Sequence, residues 1–252
     1  MGKIISIANQ KGGVGKTTTA VNLSAALAES GMKVLAIDFD PQGNMTSGMG
    51  IEEYEYSVYD FVMDKCSVEQ AVHSTYSEHL FLIPSNIDLS GAEIELLDME
   101  ERQKVLKKKV EQLKDQYDYI IIDCPPSLSI LTVNALTASD SVLIPIQCEY
   151  YAMEGLNQML KSIQLIRKKL NKNLLVEGIL FTMYDGRNRL SQQVVEGVRE
   201  ALKERIFKTM IPRNVRLAEA PSYGMPVTEY DSRSSGSESY RKLAAELMKE
   251  DE

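Results

Sequence analysis

A chain of 252 residues with 44% hydrophobic content is long enough for one α/β domain or two small ones, and it can bury a full core. It has no run of 18 apolar residues and no charged-then-apolar leader, so we expect neither a membrane span nor a signal peptide. Three scattered cysteines without C-x-x-C spacing favour a reduced cytoplasm, and a net charge of −8 argues against nucleic-acid binding unless the basic residues cluster.

The first predicted element is a strand over Lys3–Ala8, followed by a glycine-rich loop and a helix from Thr17 to about Ser30. Glycines allow the loop to turn its N–H groups inward, and a helix N-terminus favours anions, so this unit predicts a polyphosphate site. Lys16 supplies a positive charge for the β- and γ-phosphates, and Thr17 offers a hydroxyl to Mg²⁺. A second lysine, Lys11, would be repelled by Lys16 unless an anion lies between them.

Carboxylates follow two of the later predicted strands. Asp38 and Asp40 stand at the end of the strand Lys33–Asp38, where open α/β sheets bind ligands. We expect these two carboxylates to point to opposite sides, one towards the phosphates and the other towards the following loop. The buried strand Tyr119–Asp123 ends in Asp123, which is placed to hold Mg²⁺ through water.

Strands and helices alternate along the rest of the chain. The remaining predicted strands are Leu80–Pro84, Ser141–Ile146, Leu174–Thr182 and Phe207–Ile211. The remaining predicted helices are Val58–Met63, Ser67–Val72, Ala92–Gln116, Ile130–Ala138, Met153–Leu170, Leu190–Lys203 and Ser235–Lys249. Such alternation predicts an α/β fold, with a mostly parallel twisted sheet and helices on both faces. Since no repeat or interdomain linker interrupts it, we predict one domain over residues 1–252.

The glycine loop departs from the common P-loop pattern G-x-x-x-x-G-K-[ST], which requires a glycine where Gln10 stands. Its sequence, KGGVGKT at residues 11–17, resembles the deviant Walker A motif of the ParA/MinD superfamily of P-loop ATPases. Three further segments, residues 38–44, 122–127 and 211–216, resemble the Soj-type chromosomal ParA proteins of that superfamily. The resemblance covers almost the whole chain.

The resemblance implies a Mg²⁺-dependent ATPase and assigns roles to individual positions. In the family, the lysine matching Lys11 reaches across a two-fold interface to the partner's ATP, while the position of Asp40 helps to orient the attacking water. The implied catalytic residues are Lys11, Lys16 and Asp40, and the implied metal-site residues are Thr17, Asp38 and Asp123, with the carboxylates acting through water. The implied ATP-binding residues are Lys11, Gly12, Gly13, Val14, Gly15, Lys16, Thr17, Thr18, Pro212 and Asn214, of which the last two flank the adenine.

Basic residues cluster in the C-terminal third although the whole chain is acidic. A stretch of fourteen residues contains one acid, Glu204, and the cations Lys203, Arg205, Lys208, Arg213 and Arg216. Arg187 and Arg216 match arginines that bind DNA without sequence preference in Soj-type proteins, which requires only phosphate contacts. The resemblance implies an ATP-dependent homodimer that binds DNA. It also implies a ParB-like centromere-binding partner that stimulates hydrolysis and release, and a cytoplasmic, nucleoid-associated protein.

Other members of the superfamily offer alternative functions. A MinD-like membrane-cycling ATPase that positions cell division needs a basic amphipathic tail, whereas this sequence ends in the acidic residues 250–252. A nitrogenase-reductase-type ATPase needs paired cysteines at positions that Cys124 and Cys148 do not match. A bacterial tyrosine kinase would carry a cluster of C-terminal tyrosines, whereas Tyr240 stands alone. Because the sequence starts at its first strand without a helix-turn-helix, we do not expect specific operator binding.

Overall fold

The computed structural model describes residues 2–202 and 205–251, and a seven-stranded sheet runs through it. The strands are β1 Lys3–Ile7, β2 Val34–Asp38, β3 His73–Ser74, β4 Leu80–Ile83, β5 Tyr119–Asp123, β6 Ser141–Gln147 and β7 Leu175–Thr182. They lie in the order β3-β4-β2-β5-β1-β6-β7, with β3 antiparallel to β4 and the other neighbours parallel. The predicted mostly parallel sheet is therefore confirmed.

Helices cover both faces of this sheet, as the alternating pattern predicts. They are α1 Lys16–Glu29, α2 Asn44–Gly48, α3 Val58–Val62, α4 Val68–Ala71, α5 Leu89–Glu95, α6 Val105–Val110, α7 Ile130–Ala138, α8 Ala152–Lys169, α9 Arg189–Ala201, α10 Val215–Glu219, α11 Val227–Tyr230 and α12 Ser235–Asp251. Short 3₁₀ turns cover Leu96–Asp98, Glu111–Leu113 and Ala220–Tyr223. None of the described helices is both long and apolar enough to cross a membrane.

Successive residues of a strand pack into two separate hydrophobic cores, one on each face of the sheet. Ile4 and Ile120 pack with α7, α8 and α9 on one face, whereas Ile5 and Ile121 pack with α1 and α12 on the other. Period-two alternation places neighbouring side chains on opposite faces, and apolar residues at every position therefore predict a strand covered on both sides. β1 lies between β5 and β6, so the loop that follows it opens at the centre of the carboxyl edge.

The prediction of one long helix over Ala92–Gln116 is wrong. The segment contains two short helices, α5 and α6, and Glu101 between them has a left-handed φ of 52°. Buried Asn134 of α7 stabilises this break, because its amide donates to the Arg102 carbonyl at 2.7 Å and accepts from the Leu106 N–H at 3.2 Å. Tertiary hydrogen bonds thus replace helical ones, which apolar spacing alone does not predict.

The prediction of a strand over Phe207–Ile211 is also wrong. Within the part of the chain that the structure describes, Ile206 forms only an isolated parallel bridge with Ile179. The Phe207 N–H completes this bridge by donating to the Ile179 carbonyl at 3.0 Å. The N–H groups of Lys208 and Thr209 donate instead to the Glu246 carboxylate of α12, at 2.7 and 3.0 Å. Most other predicted boundaries shift by one or two residues, while Lys203, the predicted end of a helix, lies outside the described residues.

Candidate nucleotide-binding site

The loop between β1 and α1 adopts a conformation that requires glycine at two positions. Gly13 and Gly15 have φ values of 71° and 86°, in the left-handed region that side-chain-bearing residues rarely adopt. Thr182, at the carboxyl end of β7, fixes this loop through a 2.8 Å hydrogen bond from its hydroxyl to the Val14 carbonyl. Gly15 precedes α1 directly, so the free N–H groups of the helix N-terminus face the cleft.

Lys16 lies over the loop, with its ammonium group turned towards loop oxygens. Its Nζ donates to the Lys11 carbonyl at 3.1 Å, and the side chain is almost fully buried. Burial lowers the pKa of Lys16, an effect that nearby Asp123 and Asp40 partly oppose. A buried ammonium group beside the N-terminus of a helix is suited to an anionic ligand.

Asp123 ends β5 in a fully buried position, and neither of its carboxylate oxygens has a hydrogen-bond partner among the described residues. Burial raises the pKa of Asp123 well above its usual range, and Asp38 raises it further. The Thr17 hydroxyl lies close enough to lower that pKa partly. Oxygen donors of this kind are the ligands of Mg²⁺, which typically takes one or two carboxylates together with water and phosphate oxygens. The residues present therefore fit the predicted Mg²⁺ site.

Asp38 and Asp40 lie on the same side of the chain. Both carboxylates lie near Asp123, whereas Ile37 and Phe39 pack into the opposite core, so the expected opposite orientation is wrong. Residues two apart in an extended segment face the same way. Asp40 lines the cleft beside Lys16, while Asp38 is buried behind it.

Asp38 supports the segment that follows β2. One of its oxygens accepts from the Thr46 N–H and hydroxyl at 2.8 and 2.7 Å, and the other accepts from the Asp40 N–H at 3.2 Å. Burial raises the pKa of Asp38 to about 6, although the hydrogen bonds from Thr46 oppose this rise. The Thr46 hydroxyl also accepts from the Ser85 N–H at 2.9 Å, and so links α2 to the end of β4.

Thr46→Val is expected to lower the free energy of unfolding by about 2–3 kcal/mol, because a buried carboxylate loses a donor and a buried N–H loses its acceptor. Urea unfolding of the full chain measures this difference. Thr137→Val is a matched control, because the buried Thr137 hydroxyl donates, among the described residues, only to the Val133 carbonyl one helical turn earlier. The control should lose less than about 1 kcal/mol, and equal losses would contradict the bridging role of Thr46.

A second cleft adjoins the loop and brings the C-terminal part of the chain to it. Pro212 and Asn214, which the resemblance implies flank the adenine, line this cleft together with Gly15 and Thr18. Asn214 also caps α10: its side-chain oxygen accepts from the Arg216 N–H at 2.7 Å. Its amide donates to Ser235 Oγ at 2.6 Å, so contacts within the chain hold this side chain in place.

Lys11 points away from the cleft that Lys16 serves. Its ammonium group pairs with Glu149 at 3.0 Å, and about a third of its side chain is exposed. The surface beside it carries Tyr150 and Tyr151, which are 77% and 64% exposed and lie edge to face. Large exposed aromatic side chains next to a cation are typical of protein-interaction surfaces.

The two predicted DNA-binding arginines are exposed and lie outside both clefts. The Arg187 side chain is 92% exposed and makes two hydrogen bonds to Asp185, at 3.0 and 3.1 Å. Arg216 pairs with Glu219 at 2.8 Å and with Asp231 at 3.2 Å. Counting charges along the sequence missed these acidic partners, because all three lie outside the basic stretch.

Sequence reasoning also missed Met183, which lines both clefts and has a left-handed φ of 50°. Gln42 and Asn44 line the phosphate side of the cleft as well. One signal could have found Met183: it directly follows Thr182, the last residue of a predicted strand, and the carboxyl ends of parallel strands meet at the ligand-binding edge.

Known protein families, sequences and structures resemble this chain over most of its length. The AAA domain family matches residues 2–176. The sporulation initiation inhibitor protein Soj of Bacillus subtilis is 56% identical over 249 residues, covering 98% of each chain. The chromosome-partitioning ATPase Soj of Treponema pallidum is 50% identical and covers 100% of this chain and 99% of its own. A solved structure of cobyrinic acid a,c-diamide synthase from Mycobacterium smegmatis, with bound ADP and magnesium, is 36% identical with a TM-score of 0.87, covering 99% of this chain and 95% of that one.

Proposed function

This chain belongs to the ParA/MinD superfamily of P-loop ATPases, in its Soj-type group, and on that premise we propose that it partitions chromosomes or plasmids by ATP-dependent assembly on DNA. It is an ATPase that uses Mg²⁺. The observation that carries the proposal is that the glycine loop brings buried Lys16 near the Asp123 carboxylate, whose oxygens have no hydrogen-bond partner among the described residues. The MinD-like alternative has less support, since full-length relatives about half identical to this chain are named Soj or ParA.

We assign the chemistry to residues of the glycine loop and the cleft, and to the two buried carboxylates behind them. The N–H groups of residues 12–17 would bind the phosphates, with Lys16 neutralising charge on the transferred group. Mg²⁺, held by the Thr17 hydroxyl and through water by Asp123 and Asp38, would neutralise charge on the phosphate oxygens. Asp40 would orient the attacking water, a role supported by its position at the cleft beside Lys16.

Lys11 would act in the partner's site rather than in its own. Its orientation away from Lys16, at a surface with exposed tyrosines, supports this assignment. A lysine that binds the γ-phosphate across a two-fold axis contributes binding free energy that ADP cannot replace, so the dimer would depend on ATP.

The dimer would then bind DNA without sequence preference through Arg187 and Arg216, and associate with the nucleoid. A single protomer offers few phosphate contacts and carries a net charge of −8. Pairing by a two-fold axis doubles these contacts and gives tighter binding by avidity. A ParB-like centromere-binding partner would stimulate hydrolysis and so release the dimer from DNA.

The test of this function is binding to two unrelated DNA duplexes over a salt series, with ATP, ADP or no nucleotide. Affinity should be high only with ATP, and log Kd should change with log salt with a slope of about 0.9 per phosphate neutralised. Arg187→Glu and Arg216→Glu should weaken binding equally on both duplexes while ATP-dependent dimerisation persists.

A matched control follows from the ion pair of Arg187. Asp185→Asn removes the carboxylate that competes with phosphate for this arginine, so it should strengthen DNA binding without altering dimerisation. Strong preference for one duplex, or wild-type binding by both arginine variants, would contradict the proposed DNA contact.

A further inference from the structure

A groove runs beside β3, at one edge of the sheet, and we call it the edge groove. It is lined by residue 47 of α2, residues 49–52 after α2, residues 74–76 at β3, and residues 221–225 and 229 around α11. Gly50 and Gly224 meet where two of these segments cross, with φ values of 73° and 62°. A Cβ on Gly50 would lie 2.7 Å from the Gly224 carbonyl oxygen, so the close approach of the two walls requires glycine.

Three large apolar side chains line the edge groove and remain exposed. Tyr76, Tyr223 and Met225 are 47%, 63% and 45% exposed. Tyr223 stacks on Tyr230 with ring centroids 4.9 Å apart, so one ring face is fixed and the other is available. Apolar side chains gathered in one concave surface are typical of a site that binds another protein.

The edge groove is acidic. Glu52 and Glu229 belong to its lining, which contains no lysine, arginine or histidine. Neither glutamate forms an ion pair within the described part of the chain. Arg241 lies near Glu229. Its guanidinium group, however, donates both of its hydrogen bonds to a carboxylate, at 2.7 and 2.9 Å, to Glu29. A cationic side chain in this groove would therefore meet two carboxylates without a fixed partner.

Main-chain groups on the open side of β3 favour an extended occupant. β3 ends the sheet order, and its partner on the inner side is β4. Hydrogen-bonded pairs alternate along an antiparallel ladder, and Thr75 donates its N–H to Leu80 at 3.3 Å. The adjacent residue Ser74 therefore directs its main-chain groups away from β4, where an added strand could bind them.

From these observations we propose that the edge groove binds an extended segment of a partner protein, with lysine or arginine side chains between apolar ones. The apolar side chains would pack on Tyr76, Tyr223 and Met225. The cations would pair with Glu52 and Glu229, and the main chain would align beside Ser74.

The proposal is tested with two fluorescein-labelled peptides of equal length, measured by fluorescence anisotropy against the full chain. One peptide alternates lysine with valine and leucine, and the other carries glutamate in place of each lysine. The lysine peptide should bind, and the variant Glu52→Gln/Glu229→Gln should weaken its binding about 5- to 10-fold by loss of two exposed charge pairs. Tyr223→Ser should weaken it as well, since the apolar contact is lost.

The variant Glu100→Gln/Glu196→Gln is the matched control, because it removes the same charge from exposed positions outside the edge groove. It should bind the lysine peptide as the wild type does. Absence of binding by the lysine peptide, equal binding of the glutamate peptide, or equal weakening in both double variants would overturn the proposal. A change of oligomeric state in the groove variant without peptide, seen by light scattering, would instead identify an interface between copies of this chain.

Discussion

Lys11→Ala should abolish ATP-dependent dimerisation while each protomer still binds nucleotide. The phosphate-binding loop keeps Lys16 and its left-handed glycines, so the protomer's own cleft is unchanged. Each dimer would lose two charge-assisted contacts to phosphate, and we expect dimer affinity to fall at least about 100-fold. Size-exclusion chromatography with ATP, ADP or no nucleotide measures the oligomeric state, and a fluorescent ATP analogue measures binding.

Lys172→Ala is the control, because Lys172 is an exposed lysine in the turn before β7 and lies outside both clefts. It should dimerise as the wild type does. Normal dimerisation of Lys11→Ala with ATP would remove Lys11 from the interface, whereas loss of nucleotide binding would place it in its own cleft.

Asp40→Ala should slow ATP hydrolysis at least about 100-fold, because the carboxylate that orients the attacking water is lost. ATP binding should persist, since Lys16 and the loop N–H groups remain, and the ATP-bound dimer should therefore accumulate. Release of inorganic phosphate measures turnover, and chromatography of the same samples measures the dimer.

Asp40→Asn separates the charge of Asp40 from its structural hydrogen bond. The Asp40 carboxylate accepts from the Gln42 N–H at 3.0 Å, and an asparagine oxygen can keep this contact. Both variants should therefore hydrolyse slowly, but the asparagine variant should unfold at the same urea concentration as the wild type. Wild-type turnover in Asp40→Asn would show that the carboxylate charge is not needed.

The sequence predicted the parts of the fold that local patterns determine. Apolar runs such as β5 are buried on both sides, and this pattern can be read directly from residue types. Ser67 and Gln70 form the capping box that begins α4, a signal carried within four residues. The glycines of the loop also indicated its conformation, since Gly13 and Gly15 adopt the left-handed φ values that glycine adopts most readily.

Features that depend on distant partners could not be predicted in this way. The break at Glu101 depends on Asn134, and the end of β-structure near Lys208 depends on Glu246. The same limitation applies to the site: Asp185 and Asp231 neutralise the predicted DNA-binding arginines through contacts that a count along the sequence does not show. A count of charged residues along a sequence therefore does not show which charges remain unpaired on the surface.

The position of β1 between β5 and β6 has a consequence for synthesis on the ribosome. β1 emerges first, yet the strands that flank it begin at Tyr119 and Ser141. At a translation rate of about 5–20 residues per second, the phosphate-binding loop exists for seconds without either neighbour. Pro212, on the base side of the cleft, arrives later still. ATP can therefore contribute its full binding free energy only after most of the chain has been made. A nascent chain stalled before β5 has neither the flanking strands nor a complete ligand site to keep its apolar first strand from aggregating.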